Sequence, residues 1–141
     1  MDAATATLLA ATIAMGIGTG VYLLYAAVIM PGLARTDDRT FVGAFQEIDR
    51  AIVGPFLLVM FVGPVVLAVL AAGFYLGADD PVTLGLIVGA LPLELFIVVL
   101  TVRVNVPLND GIKAAGRPGE IADLGTVRRE FNEARWVASN S

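Results

Sequence analysis

The chain has 141 residues, 57% of them hydrophobic and 16% charged, and a mean hydropathy of +0.83, far more apolar than an ordinary soluble domain. Its formal net charge of -4 gives no reason to expect nucleic acid as a partner. Cysteine and histidine are both absent, which excludes disulfides, thiolate chemistry and His-ligated haem and removes most zinc and non-haem iron sites, so no metal and no cofactor is expected.

From Ala3 to Ala34 no residue is charged. Met30-Pro31-Gly32 predicts the end of a first span over about 5–30, because proline lacks an N–H and steers its predecessor out of the helical region. Such a stretch, roughly 38 Å as helix, is long enough to cross the hydrocarbon layer. Its Gly16-Ile17-Gly18-Thr19-Gly20 run is no dinucleotide fingerprint, since no strand precedes it and the third glycine is misplaced. Gly16 and Gly20 instead form a GxxxG face for close helix approach.

Residues 38–50 carry Phe41, Phe45, Ile48 and Ile52 at helical spacing, with Asp37 or Asp38 able to cap the start. They read as an amphipathic helix at the membrane interface or on the end of the bundle. The second span, about 52–76, is uncharged and holds Pro64 at its middle, where the carbonyl of Met60 is freed and a kink is expected. Gly77 to Pro81 makes a tight hairpin, with Asp80 as N-cap and Pro81 as the first helical residue. The third span, about 81–103, contains Pro92 and one acid, Glu94. A turn from Asn105 to Asn109 around Pro107 is expected to take the chain out of the membrane. A second amphipathic helix over 120–138 follows, with Ile121, Leu124, Val127, Phe131 and Ala134 on one face and Trp136 placed as an interfacial aromatic.

All nine basic residues fall in two places. Arg35, Arg39 and Arg50 lie in the first loop; Arg103, Lys113, Arg117, Arg128, Arg129 and Arg135 follow the third span. The positive-inside rule then puts the N-terminus and the Asp79–Asp80 hairpin outside and the basic segments in the cytoplasm. The expectation is an all-α, polytopic membrane bundle in a single domain, 1–141, in the inner (plasma) membrane, with lipids around it.

This placement brings Gly16 to Gly20, Gly63-Pro64 and Pro92 to Glu94 to similar depth. A carboxyl there must face the bundle, find a partner or be protonated, and Thr12 and Thr19 are candidate donors. Two readings stand: Glu94 exchanges a proton in a small midplane cavity, or it is a neutral carboxyl bonded to a freed carbonyl. Asn105 and Asn109 either satisfy backbone groups around Pro107 or hold a polar ligand at the membrane edge.

The MPGL segment at Pro31, Asp-Arg-x-Phe, Phe-Gln-x-Ile-Asp, Asn105-Val106-Pro107-Leu108-Asn109, and Phe131 with Ala134-Arg135-Trp136 and Asn140 resemble the anthrone-oxygenase-like family of small membrane proteins. The resemblance implies four membrane helices, the fourth following the Trp136–Asn140 segment in the same chain or replaced by a partner's helix. It makes Asn105, Pro107, Asn109, Trp136 and Asn140 signature positions. It implies for some members a cofactor-independent oxygenation of anthrones, in which a base such as Glu94 forms a carbanion that meets oxygen directly. The leading expectation is an accessory or stabilising subunit packed against a larger membrane complex, for example a transporter, with Gly16, Gly20, Pro64 and Pro92 as helix-packing positions, and the oxygenase is the alternative.

Overall fold

The computed structural model describes residues 1–139, save the side chains of residues 56–58. Every regular element among them is helical. In chain order they are Ala3–Leu24 (α1), Met30–Leu33 (α2), Asp38–Ile52 (α3), Pro55–Tyr75 (α4), Pro81–Leu100 (α5), Val106–Ala114 (α6), Leu124–Phe131 (α7) and Glu133–Ala138 (α8). Two π-helical turns, Tyr25–Ile29 and Thr101–Asn105, join α1 to α2 and α5 to α6. The helical runs Ala3–Leu33 and Pro81–Ala114 are each long and apolar enough to cross a membrane. At 1.5 Å per residue they reach roughly 47 and 51 Å, against a hydrocarbon core of about 30 Å.

Neither Pro31 nor Pro107 ends its helix, which corrects the boundaries expected near residues 30 and 103. In an α-helix, proline removes the bond to the carbonyl four residues back, and its ring presses on that carbonyl. Here the ladder widens just before each proline. The N–H of Met30 reaches Tyr25 O, and that of Val106 reaches Thr101 O, both five residues back. Each proline then sits two residues past the end of a π-turn, and the helix runs on to Leu33 in one case and Ala114 in the other.

The helix expected over 120–138 is also two helices. Asn132 adopts the left-handed conformation (φ 54°) between α7 and α8 and accepts from the Arg135 N–H, so it closes one helix and caps the next. The break leaves Ala134 exposed instead of on the buried stripe. It carries Trp136 to 5% exposure, a core position and not an interfacial one.

The chain divides into two compact units. The first, Met1–Gly20 with Pro55–Val98, holds most of α1, α4 and nearly all of α5. Its buried positions are mostly small: Ala11, Ala68 and Ala71, with Pro64 and Ile87. Its large side chains, among them Ile13, Ile17, Val66 and Leu93, face outward. Small residues inside and large ones outside suit helices that meet in lipid, where no hydrophobic force drives large side chains together.

The second unit, Val21–Gly54 with the described residues from Val99 on, has a conventional core. Met30, Phe41, Val42, Phe45, Ile112, Phe131 and Trp136 are buried together. Asp37 caps α3, and Asp123 caps α7. In each case a threonine three residues on donates its hydroxyl to the aspartate at 2.6 Å. At the far end of α3, Gly54 (φ 140°) takes a conformation that side chains avoid and delivers Pro55 to the first turn of α4.

Candidate functional site

Helix α3 turns an unexpected face inward. Phe41, Val42, Phe45, Gln46 and Asp49 are buried, while Ile48 and Ile52 are only half-buried. The apolar stripe thus turns slightly, carrying an amide and a carboxylate into the core. Gln46 Nε2 donates to Ile112 O at 2.7 Å and to Gly116 O at 3.0 Å, satisfying carbonyls at the end of α6 that have no partner within their own helix. Asp49 accepts at Oδ1 from Asn109 Nδ2 at 2.7 Å, and its Oδ2 lies 2.7 Å from Lys113 Nζ. Lys113 also reaches Asp110 at 3.1 Å.

Asn109 links this acid to the indole. Its Oδ1 accepts from Trp136 Nε1 at 2.7 Å, and Asn105 Nδ2 donates to Trp136 O at 3.3 Å. Asn105 and Asn109 sit one turn apart on the same helix face, so one run of backbone presents both amides to α8. Three of the signature positions, Asn105, Asn109 and Trp136, are therefore one hydrogen-bonded group. Pro107, exposed between the asparagines, keeps the π-turn that aims them. Asn140 lies outside the described residues. Gln46 Oε1 and Asn105 Oδ1 are buried acceptors with no protein donor among the described residues.

An aromatic wall backs the polar group. Trp136 meets Phe45 edge-on at 5.8 Å and Tyr25 at 5.7 Å, and Phe45 lies 4.5 Å from Phe131. Arg128 closes the other side. Its guanidinium lies 4.3 Å over the Phe41 ring, donates to Glu133, Asp38 and the carbonyl of Thr36, and reaches Ala34 O. The Glu133 and Asp38 carboxylates hold its pKa above the ordinary arginine range. The Thr40 and Thr126 hydroxyls hold the capping carboxyls of Asp37 and Asp123 below the usual carboxylate range.

Gln46, Asp49, Lys113 and Tyr25 are the members of this group that sequence reasoning missed. The signal was present for two of them: Phe-Gln-x-Ile-Asp places Gln46 and Asp49 beside and one turn past Phe45, within the apolar stripe of α3.

In the first unit a cavity of about 320 Å³ lies among α1, α4 and α5, lined by Leu8, Ala11, Thr12 and Met15, by Ala68 and Ala71, and by Thr83, Leu86, Ile87 and Ala90. Both threonine hydroxyls are committed, Thr12 to Leu8 O at 2.9 Å and Thr83 to Asp80 at 2.6 Å. Glu94 is half-buried and does not line this cavity. It follows Ile87 and Ala90 by seven and four residues, so it continues their face of α5 one turn beyond. Glu94 makes no hydrogen bond or ion pair among the described residues; neither Thr12 nor Thr19 reaches it. Gly16 and Gly20 are exposed, and a Cβ added at either would meet nothing within 4 Å. Their expected close approach to another helix is absent within the described chain. Pro64 is fully buried inside α4, and Pro92 is exposed inside α5. No group of three or more acidic residues that could hold a metal ion occurs among the described residues.

The fold is thus that of an all-helical protein with two helices of membrane-crossing length and a capped helical unit built around a buried amide–indole group. Residues 56–141 match the family described as anthrone oxygenase, and the chain belongs to that family. The matched segment contains Glu94, Asn105, Asn109 and Trp136, while Gln46 and Asp49 precede it. No curated protein and no solved structure matches the chain.

Proposed function

We propose that this chain is a multi-pass protein of the inner (plasma) membrane that oxygenates a lipophilic substrate carrying an acidic ring methylene. Glu94 carries the reading: a carboxyl without a protein partner among the described residues, in an apolar helix, on the face that also lines a cavity. Asp49 is the poorer base, since Lys113 and Asn109 already occupy both its oxygens. The family description supports the substrate class. The split of basic residues supports an outward N-terminus and cytoplasmic basic segments; cysteines introduced near Asp79 and near Lys113 should label from opposite sides, and same-side labelling would refute that topology.

In the proposed reaction the Glu94 carboxylate removes a proton from the ring methylene. The carbanion, delocalised onto the ring carbonyl, passes one electron to dioxygen. The radical pair joins through a C–O bond, and Glu94 returns the proton to the resulting peroxide. Loss of water, taking the second methylene hydrogen and breaking the O–O bond, leaves a ketone. One methylene and one dioxygen become one carbonyl and one water, with no outside electron donor. The test is oxygen uptake by the detergent-solubilised protein with anthrone, corrected for spontaneous oxidation. Uptake should match ketone formed, and Glu94→Gln should lower kcat by about 100-fold or more with the fold intact. Unchanged turnover in that variant would sink the assignment.

A second reading, an accessory subunit packed against a larger membrane complex, is favoured by the open Gly16–Gly20 face. It predicts co-migration with other subunits in mild detergent, no oxygen uptake, and tolerance of Glu94→Gln. Glu94→Leu would then release the partner.

A further inference from the structure

We infer that the opening among α1, α4 and α5 is a lipid groove, which takes one acyl chain of a phospholipid with an ammonium on its headgroup. The lipid comes from the leaflet on the side of the Asp79–Asp80 hairpin. This role rests on the membrane part of the reading above and not on the oxygenase part. Exposure separates a floor from a rim. Ala11, Ala68, Ala71 and Ile87 line the opening at 6% exposure or less. Thr12 of α1 and Leu86 of α5 line it too, yet both are exposed. The opening is therefore a groove entered between α1 and α5, with α4 beneath. Around its rim Leu9, Ile13 and Val82 are exposed apolar side chains of the kind that meet lipid.

The groove holds about 320 Å³, roughly ten times the volume of one water in the liquid. Water suits it poorly, because the Thr12 and Thr83 hydroxyls already donate to Leu8 O and Asp80 and the other lining side chains are apolar. A hydrocarbon chain regains the dispersion contacts that an unfilled groove forfeits. Position selects the leaflet. Thr83 is two steps into α5 and Ala90 nine, so the groove runs from about 3 to about 13.5 Å along that helix. Half of the hydrocarbon core is about 15 Å, so the groove ends within the leaflet whose surface lies at the hairpin. Charge selects the headgroup. Asp79 is exposed, and hydrogen bonds from Thr83 hold the Asp80 carboxyl below the usual carboxylate range, so it stays charged. No Lys or Arg occurs anywhere in this unit. An ammonium is attracted there and an anionic headgroup repelled, over a screening length of about 10 Å at 0.1 M salt.

The test uses two phospholipids with the same diazirine-bearing acyl chain, one with an ethanolamine headgroup and one with an anionic glycerol headgroup. The full chain is photolysed in bilayer discs of each, and insertion is read residue by residue by mass spectrometry. Met15 and Ile87 report the groove, and the outward-facing Ile13 and Leu93 report bulk lipid. The ethanolamine lipid should label the groove pair about threefold more than the glycerol lipid and label the outward pair equally. Asp79→Lys should erase that preference and leave the groove labelled. Ala71→Leu, which fills the floor, should lower the groove pair to background and leave the outward pair unchanged. Labelling of Ile13 and Leu93 without Met15 and Ile87 would overturn the groove. Equal labelling of Met15 and Ile87 by the two lipids would overturn the choice of headgroup. No labelling at any of the four positions would overturn the membrane reading itself. Because the lipids are compared in the unaltered chain, a leucine variant that fails to fold does not remove the test.

Discussion

Replacing Trp136 by phenylalanine should loosen the second unit by an amount that the geometry allows to be worked out. The indole N–H donates to Asn109 Oδ1 at 2.7 Å, inside a group with Asp49 behind it. Phenylalanine keeps a ring against Phe45 and Tyr25 but removes that donor, leaving a partly buried acceptor unpaired at a cost of about 1–3 kcal/mol. The smaller ring adds about 1 kcal/mol for space that neighbours cannot fill. A total near 3 kcal/mol would raise amide exchange in α6 and α8 by roughly 100-fold wherever exchange follows local opening. The packing loss can be separated by a cycle with Asn109→Ala: the double variant should be less destabilised than the sum of the two singles by about 1–2 kcal/mol. Hydrogen exchange in detergent micelles reads all three variants. Strict additivity, or a less than twofold change in α8, would show that the indole–amide bond does not hold the unit together.

Arg128→Lys retains a positive charge but cannot reproduce the fork that reaches Glu133, Asp38 and two backbone carbonyls; it should cost the second unit about 2 kcal/mol, measured by the same exchange. The capping carboxyls of Asp37 and Asp123 are held below their ordinary 3.8, so their contribution is complete above that value and disappears as pH falls through the lower folded values. Exchange in the first turns of α3 and α7 should therefore rise only in that acid window, and Asp37→Asn should flatten the α3 profile. Deleting Val104 removes the extra residue of the second π-turn and rotates α6 by about 100° relative to α5; Trp136 emission should shift to the red as its partners leave, and an unshifted spectrum would deny the π-turn that aiming role.

How much of this was legible in the sequence depends on the kind of signal. The apolar helices were plain because nothing charged interrupts 3–34 or 51–78, and Asp37 and Asp80 announced helix starts through side chains that accept from nearby N–H groups. Pro31 and Pro107 misled because a proline rule written for α-helices counts one lost bond and one clash; a single widened turn absorbs both, and no residue type marks such a turn in advance. Gln46 and Asp49 were passed over because polarity alone puts them outside. They are inside because α6 ends in carbonyls that need donors and because Asn109 and Lys113 face a carboxylate across the seam.

The two stretches of chain that build the second unit repeat one plan. Each runs from an apolar helix through a π-turn to a proline, then through a short helix and loop to an aspartate that caps an amphipathic helix and binds a threonine three residues on. Their side chains are not copies but complements. The first supplies Tyr25, Gln46 and Asp49; the second supplies the carbonyls of Ile112 and Gly116, the amide of Asn109 and the indole of Trp136. A residue such as Asn109 has both its amide atoms assigned only when both stretches are present, one to Asp49 and one to Trp136. Motifs read along one stretch therefore pick out Asn109 and Trp136 as special yet cannot say all that they hold, because Asp49, which accepts from Asn109, lies 60 residues earlier, and Tyr25 and Phe45, which meet the Trp136 ring, belong to that same earlier stretch.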